Sequence, residues 1–130
     1  TGEGCANSTG KGVRLYAFGS TSIARDDLYF FATGAPTGVQ AKLVVGATTL
    51  NGGLGVPMFA GLRTAGAPLA RISVPNSLFD GSVYRAPGLQ LLGAWSAGQV
   101  RVFQLWYRDA SGPCGATANF SSAEAVTFTP

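Results

Sequence analysis

Short apolar runs, many of them aromatic or β-branched, are cut by Gly, Pro, Asn, Asp or Ser about every eight to twelve residues. No segment sustains a helical period. A hydrophobic pattern that resets this often cannot build long helices, and its natural solution is a set of short strands packed as a sandwich or barrel. Strands are expected over 13–18, 28–33, 40–45, a short one over 57–61, then 69–74, 82–85, 99–107 and 125–129. Asn51-Gly52-Gly53 and Asp80-Gly81 supply the positive φ that tight turns require. Pro36, Pro75, Pro87 and Pro113 all fall between runs, where a missing N–H harms no ladder. Residues 88–95, with Leu89, Leu91 and Leu92, read as a single helical turn.

The run over 99–107 is the most informative. Val100, Val102 and Trp106 share one face with Gln104, while Arg101, Phe103, Leu105 and Tyr107 share the other. Apolar residues on both faces predict a central strand with one face on the core and the other partly covered. Leu28 and Phe30 oppose Tyr29 and Phe31 in the same way. The fold expected over residues 1–130 is one all-β domain, a single antiparallel immunoglobulin-like sandwich of about seven to nine strands.

Composition narrows the function classes. Hydrophobic residues make up 46% of the 130, enough to offset ordering entropy, so wholesale disorder is excluded. Histidine is absent, which removes Ser-His, Cys-His and His-metal chemistry together. The net charge is +3, but no two basic residues are adjacent and no cluster along the sequence suits a phosphate backbone, so nucleic acid is not an expected partner. The longest uncharged stretch, 43–62, is broken by Asn51-Gly52-Gly53 and Pro57, so no membrane-spanning helix is expected. Charged residues are only 12% of the chain, and among the expected strands only 40–45 carries a lysine, Lys42, so the sheet edges look poorly guarded.

Cys5 and Cys114 are the only cysteines, each in a Gly-flanked turn near one end of the chain. An even count in a low-charge, β-rich domain reads as one disulfide tying the two ends, formed in an oxidising compartment, with a pair of buried thiols in a cytosolic protein as the alternative. On the first reading the protein is extracellular or at the cell surface, and Thr1 is the mature end left after signal-peptide removal.

The opening Gly-x-Gly-Cys5, the 50–57 turn Leu-Asn-Gly-Gly-Leu-Gly-Val-Pro and the block Phe103-Gln104-Leu105-Trp106-Tyr107-Arg108-Asp109 form a pattern with the close of the chain. That close runs Gly112-Pro113-Cys114-Gly115, Asn119-Phe120-Ser121 and Val126-Thr127-Phe128-Thr129-Pro130. Read together, they resemble a C-terminal β-sandwich module common in planctomycete-type secreted bacterial proteins. The resemblance covers essentially the whole chain and is most specific in its last thirty residues. It implies export, a β-sandwich and a Cys5–Cys114 bridge, and brings no catalytic residue. Relatives often carry a further cysteine near Gly61-Leu62-Arg63, where this chain has Thr64, and they usually stand behind other domains.

Six carboxylates are present, and Asp26-Asp27 is their only cluster. Successive strand residues point to opposite faces, so the pair reads first as a solvated strand start and second as a calcium site completed by backbone carbonyls. Gly52-Gly53-Leu54-Gly55 lacks the following Lys-Ser/Thr helix of a phosphate loop, and Ser20 and Ser22 lack a neighbouring base. Aromatic residues are 11% of the chain; most are expected in the core, with Trp95 and Tyr84, beside loops, as candidate platforms for stacking sugar rings. Asn7-Ser8-Thr9 and Asn119-Phe120-Ser121 match the N-glycosylation pattern.

The functional expectation is a non-enzymatic, cofactor-free extracellular structural or adhesive subunit that self-assembles into a filament, fibre or surface layer. Its first ten residues would be an arm reaching a neighbour. The alternative is a carbohydrate-binding accessory module whose partner is extracellular polysaccharide.

Overall fold

The structure, a computed structural model, describes residues 5–130, with the side chains of Gln90 and Leu91 excepted. Residues 1–4, which the expected arm includes, lie outside the described residues. The elements run β1 (Arg14–Phe18), β2 (Tyr29–Thr33), β3 (Ala41–Thr49), β4 (Val56–Met58), β5 (Gly61–Arg63), β6 (Ala65–Ser73), β7 (Val83–Arg85), α1 (Leu89–Gly93), β8 (Val100–Arg108) and β9 (Ala118–Thr127). The expected helical turn is α1.

Alternation decides how the strands stack. In β1, β2 and β7 the residues Leu15, Phe30, Ala32 and Val83 turn inward, and they meet Leu43, Val45, Phe103, Leu105 and Tyr107 from β3 and β8. The rings of Phe30 and Phe103 lie 4.6 Å apart across this core. One sheet has the order β1-β2-β7 and the other β6-β3-β8-β9, and every pairing within them is antiparallel. The chain crosses between layers after β2, after β6 and, through α1, after β7. This is an immunoglobulin-like sandwich in which β6 pairs beside β3 in the larger sheet rather than joining the opposite one.

The bridge is Cys5–Cys114, with Cα atoms 6.5 Å apart and the two positions separated by 109 in the sequence. It fastens the N-terminal segment to the loop between β8 and β9. Cys5 N–H also donates to Ala60 (2.8 Å), and Ala60 N–H donates to Ala118 at the start of β9 (3.1 Å).

The single short strand expected over 57–61 is instead a hairpin, β4 and β5, turned at Phe59 and Ala60. It folds over the outer face of the four-stranded sheet, and Gln104 holds it there. That fully buried side chain accepts from Thr64 N–H (2.9 Å) and Ala65 N–H (3.4 Å) and donates to Leu62 (2.6 Å) and Ser121 (2.8 Å) carbonyls. A Cβ at Gly61 would overlap Asn119 and Phe120, so glycine lets hairpin and β9 approach. The second face of β8 is covered as its sequence predicts.

The edges are better guarded than the charge count suggests. Lys42 guards none of them, because β3 is an interior strand. β1 and β9 close on each other through Ser122 N–H to Val13 O (3.0 Å) and Leu15 N–H to Ser122 Oγ (3.0 Å). Beyond them, Ser22 and Thr129 make a parallel bridge. β7 is three residues long. The long edge is β6, which carries Pro68 and Arg71.

Candidate functional site

The outward positions of β1, β2 and β7 are nearly all aromatic. Tyr16, Phe31 and Tyr84 stand opposite one another across the three strands, and Phe18 stands opposite Tyr29 in the adjoining row. Directly opposed residues share a face, so these five rings cover the outside of one sheet. Tyr16 and Phe18 centroids are 6.4 Å apart, Phe18 and Tyr29 5.4 Å and stacked, Tyr29 and Tyr84 5.8 Å. Tyr16, Phe18 and Tyr84 are 41%, 45% and 44% exposed, far above a core ring. A contiguous exposed apolar patch of this kind marks a docking face more often than chance.

The turns that lead into this face are braced by carboxylates. Asp27 accepts from Ser20 Oγ (2.6 Å) and Ser20 N–H (3.0 Å), closing the loop between Phe18 and Tyr29. A Cβ at Gly19, where φ is +87°, would overlap the Asp27 carbonyl, so the loop needs glycine there. Asp80 accepts from Ser82 Oγ (2.6 Å) and N–H (3.0 Å) just before β7. These bonds favour the ionised forms and hold both carboxyls below their ordinary pKa. Glu124 on β9 moves the other way, pushed up by burial.

Of the two candidate stacking residues, Tyr84 sits on the exposed face and Trp95 does not. Trp95 is 9% exposed, stacked on Phe128 at 5.0 Å and edge-on to Phe103 at 5.5 Å. It fills the end of the core beyond α1, and proximity to a loop in sequence misread it as a surface ring. Asp26 and Asp27 occupy the β1–β2 loop, Asp26 with φ +48° and Asp27 engaged by Ser20. Among the described residues no three His, Cys, Asp or Glu side chains gather as a metal-holding group.

Asn7 and Asn119 are buried and structural. Asn7 donates to Gly34 O (2.8 Å) and Tyr107 Oη (3.3 Å) and accepts from Thr9, while Asn119 donates to Cys5 O (2.8 Å). No described helix is long and apolar enough to cross a membrane.

Tyr29 and Phe31 alternate with Leu28 and Phe30 in the sequence, but apart from Trp95 and Tyr84 most rings are expected in the core, whereas Tyr16 and Phe18 are exposed. Their union into one face depends on the β1–β2–β7 register, which the sequence does not state. Comparison with known proteins finds no matching family model, no matching curated protein and no matching solved structure.

Proposed function

We propose that this protein is a non-enzymatic extracellular adhesive module that holds polysaccharide on the aromatic face of β1, β2 and β7. The observation that carries the reading is the ladder Tyr16–Phe18–Tyr29–Tyr84, in which all but the half-buried Tyr29 are exposed, with centroid spacings of 5.4 to 6.4 Å. A pyranose ring offers an apolar C–H face that stacks on an aromatic ring, and tyrosine hydroxyls can meet its equatorial hydroxyls. A row of rings on an open sheet face suits an extended chain of sugars better than a small ligand, which prefers a cavity. The Cys5–Cys114 bridge supports an oxidising, extracellular setting. Asp27, Asp80 and Asp109 are engaged by backbone N–H groups of their own loops or the N-terminal segment, which supports binding rather than turnover.

The test is depletion from solution by insoluble cellulose, chitin and xylan. Wild-type protein is expected to be removed by at least one of them, and Tyr29→Ala/Tyr84→Ala to bind at least about tenfold more weakly with its melting temperature little changed, since both rings lie outside the core. Equal retention of the double variant, or no retention of wild type on any of them, overturns the reading.

Self-assembly remains a second reading because β6 offers a nine-residue edge whose only charge is Arg71. A neighbouring chain would add a strand there. Sedimentation at high concentration with electron microscopy decides it: filaments abolished by Ala70→Pro support it, and a monomer at every concentration rejects it.

A further inference from the structure

The opposite face of the sandwich carries a groove of about 480 Å³, bounded by the outer side of the four-stranded sheet and by the β4–β5 hairpin. That volume lies within the range of small-ligand sites, about 300–1,000 Å³. Its apolar part is Val44, Leu69, Trp106 and Phe120, with Met58 and Phe59 from the hairpin.

Four of the chain's nine basic residues converge on it, Lys42, Arg63, Arg71 and Arg108, and no Asp or Glu lines it. They come from β3, β5, β6 and β8, so no run of sequence announces the cluster. Lys42 stands directly opposite Trp106 on β8 and diagonal to Arg71 on β6. Arg108 lies against the Trp106 ring at 5.9 Å and donates to Gln40. Among the described residues none of the four is in an ion pair, and no described residue offers an acceptor to the buried Arg63 Nε.

Like charges gathered on one sheet face oppose folding, and a buried donor without an acceptor costs free energy. An anion in the groove relieves both. The tryptophan adds a requirement that charge alone does not, because it favours an anion with a flat apolar face.

We propose that this groove binds an anionic saccharide of the uronate class, with its carboxylate among Lys42, Arg63 and Arg71 and a ring face against Trp106. Arginine forks pair with carboxylates in a planar, two-point geometry, which favours carboxylate over a diffuse charge. The proposal rests on the saccharide-binding reading but uses the other side of the sandwich, so separate ligands and variants tell failure of one from failure of the other.

Affinity electrophoresis of the intact protein through gels containing polygalacturonate tests it. Retardation is expected with polygalacturonate and is expected to fall at least tenfold when the polymer is fully methyl-esterified, which removes charge but keeps the ring. Lys42→Gln/Arg71→Gln, both on exposed positions, is expected to lose retardation while still binding neutral insoluble polysaccharide. Trp106→Ala is expected to weaken it, with Trp106→Phe restoring part. Equal retardation by polyglutamate or single-stranded DNA, no retardation by polygalacturonate, or an unchanged Lys42→Gln/Arg71→Gln variant overturns the proposal. Loss of neutral-polysaccharide binding in Tyr29→Ala/Tyr84→Ala, with polygalacturonate retardation intact, separates this groove from the aromatic face.

Discussion

Gln104 lies between Phe103 and Leu105 in a strand that is apolar on both faces, and both ends of its amide are fully used. Two backbone donors and two backbone carbonyls from the β5–β6 segment and β9 converge on one side chain. Its removal would strand those groups under the hairpin, where each unsatisfied polar group costs about 1–3 kcal/mol. Gln104→Leu is therefore expected to destabilise the protein by about 3 kcal/mol or more in urea unfolding, despite its greater hydrophobicity. Hydrogen exchange should show the loosening concentrated in the hairpin. An apolar strand interrupted by one glutamine predicts a covered second face. It does not predict what covers it, because the partner strands, β4 and β5, are three residues each and rich in Gly and Pro.

At the level of elements, what the sequence revealed depended on contrast. β1, β2 and β8 alternate large residues against a clear second face, and they fall within a residue or so of their expected positions. β6 begins with Ala65-Gly66-Ala67-Pro68 and β9 with Ala118, where small and polar side chains carry little strand preference, so both are longer than expected. Those segments become strands through pairing with β3 and β8 rather than through their own composition.

The aromatic face was legible only in part: Tyr84 was expected at the surface, while the other four rings join it through the β1–β2–β7 register, which the sequence does not state. The turns beside it titrate. Asp27 and Asp80 have folded pKa values below the unfolded value of about 3.9, so the unfolded chain binds more protons in acid. Their contribution is present above that value and lost as pH falls through the folded one. Stability is therefore expected to fall below about pH 4, and Asp27→Asn/Asp80→Asn to flatten that fall in urea midpoints measured from pH 5 to pH 2. Glu124 acts in the reverse sense: its raised pKa makes ionisation oppose folding, so Glu124→Gln is expected to stabilise at pH 7 and not at pH 3.

Taken whole, the molecule is a sandwich with two dissimilar outer faces and one covalent tie. The tie spans 109 residues, which in the chain-entropy account is worth about 4–5 kcal/mol through the unfolded state. Cys5→Ser/Cys114→Ser is expected to lower the melting temperature by more than about 10 °C in calorimetry, and an unchanged temperature would contradict that account. The scattered basic residues show why function was harder to read than fold. Lys42, Arg63, Arg71 and Arg108 are separated along the sequence and meet only when β3, β6 and β8 are laid side by side and the β4–β5 hairpin folds over them. The five rings of the opposite face meet in the same way, and the claim that they bind sugar is central. It is tested most directly by following ring resonances of isotopically labelled protein during titration with soluble oligosaccharides of the polymer that depletes it. The account predicts shifts centred on Tyr16, Phe18, Tyr29 and Tyr84, with Trp95 and Phe103 unmoved. Shifts confined to other surfaces, or none at saturating oligosaccharide, would contradict it.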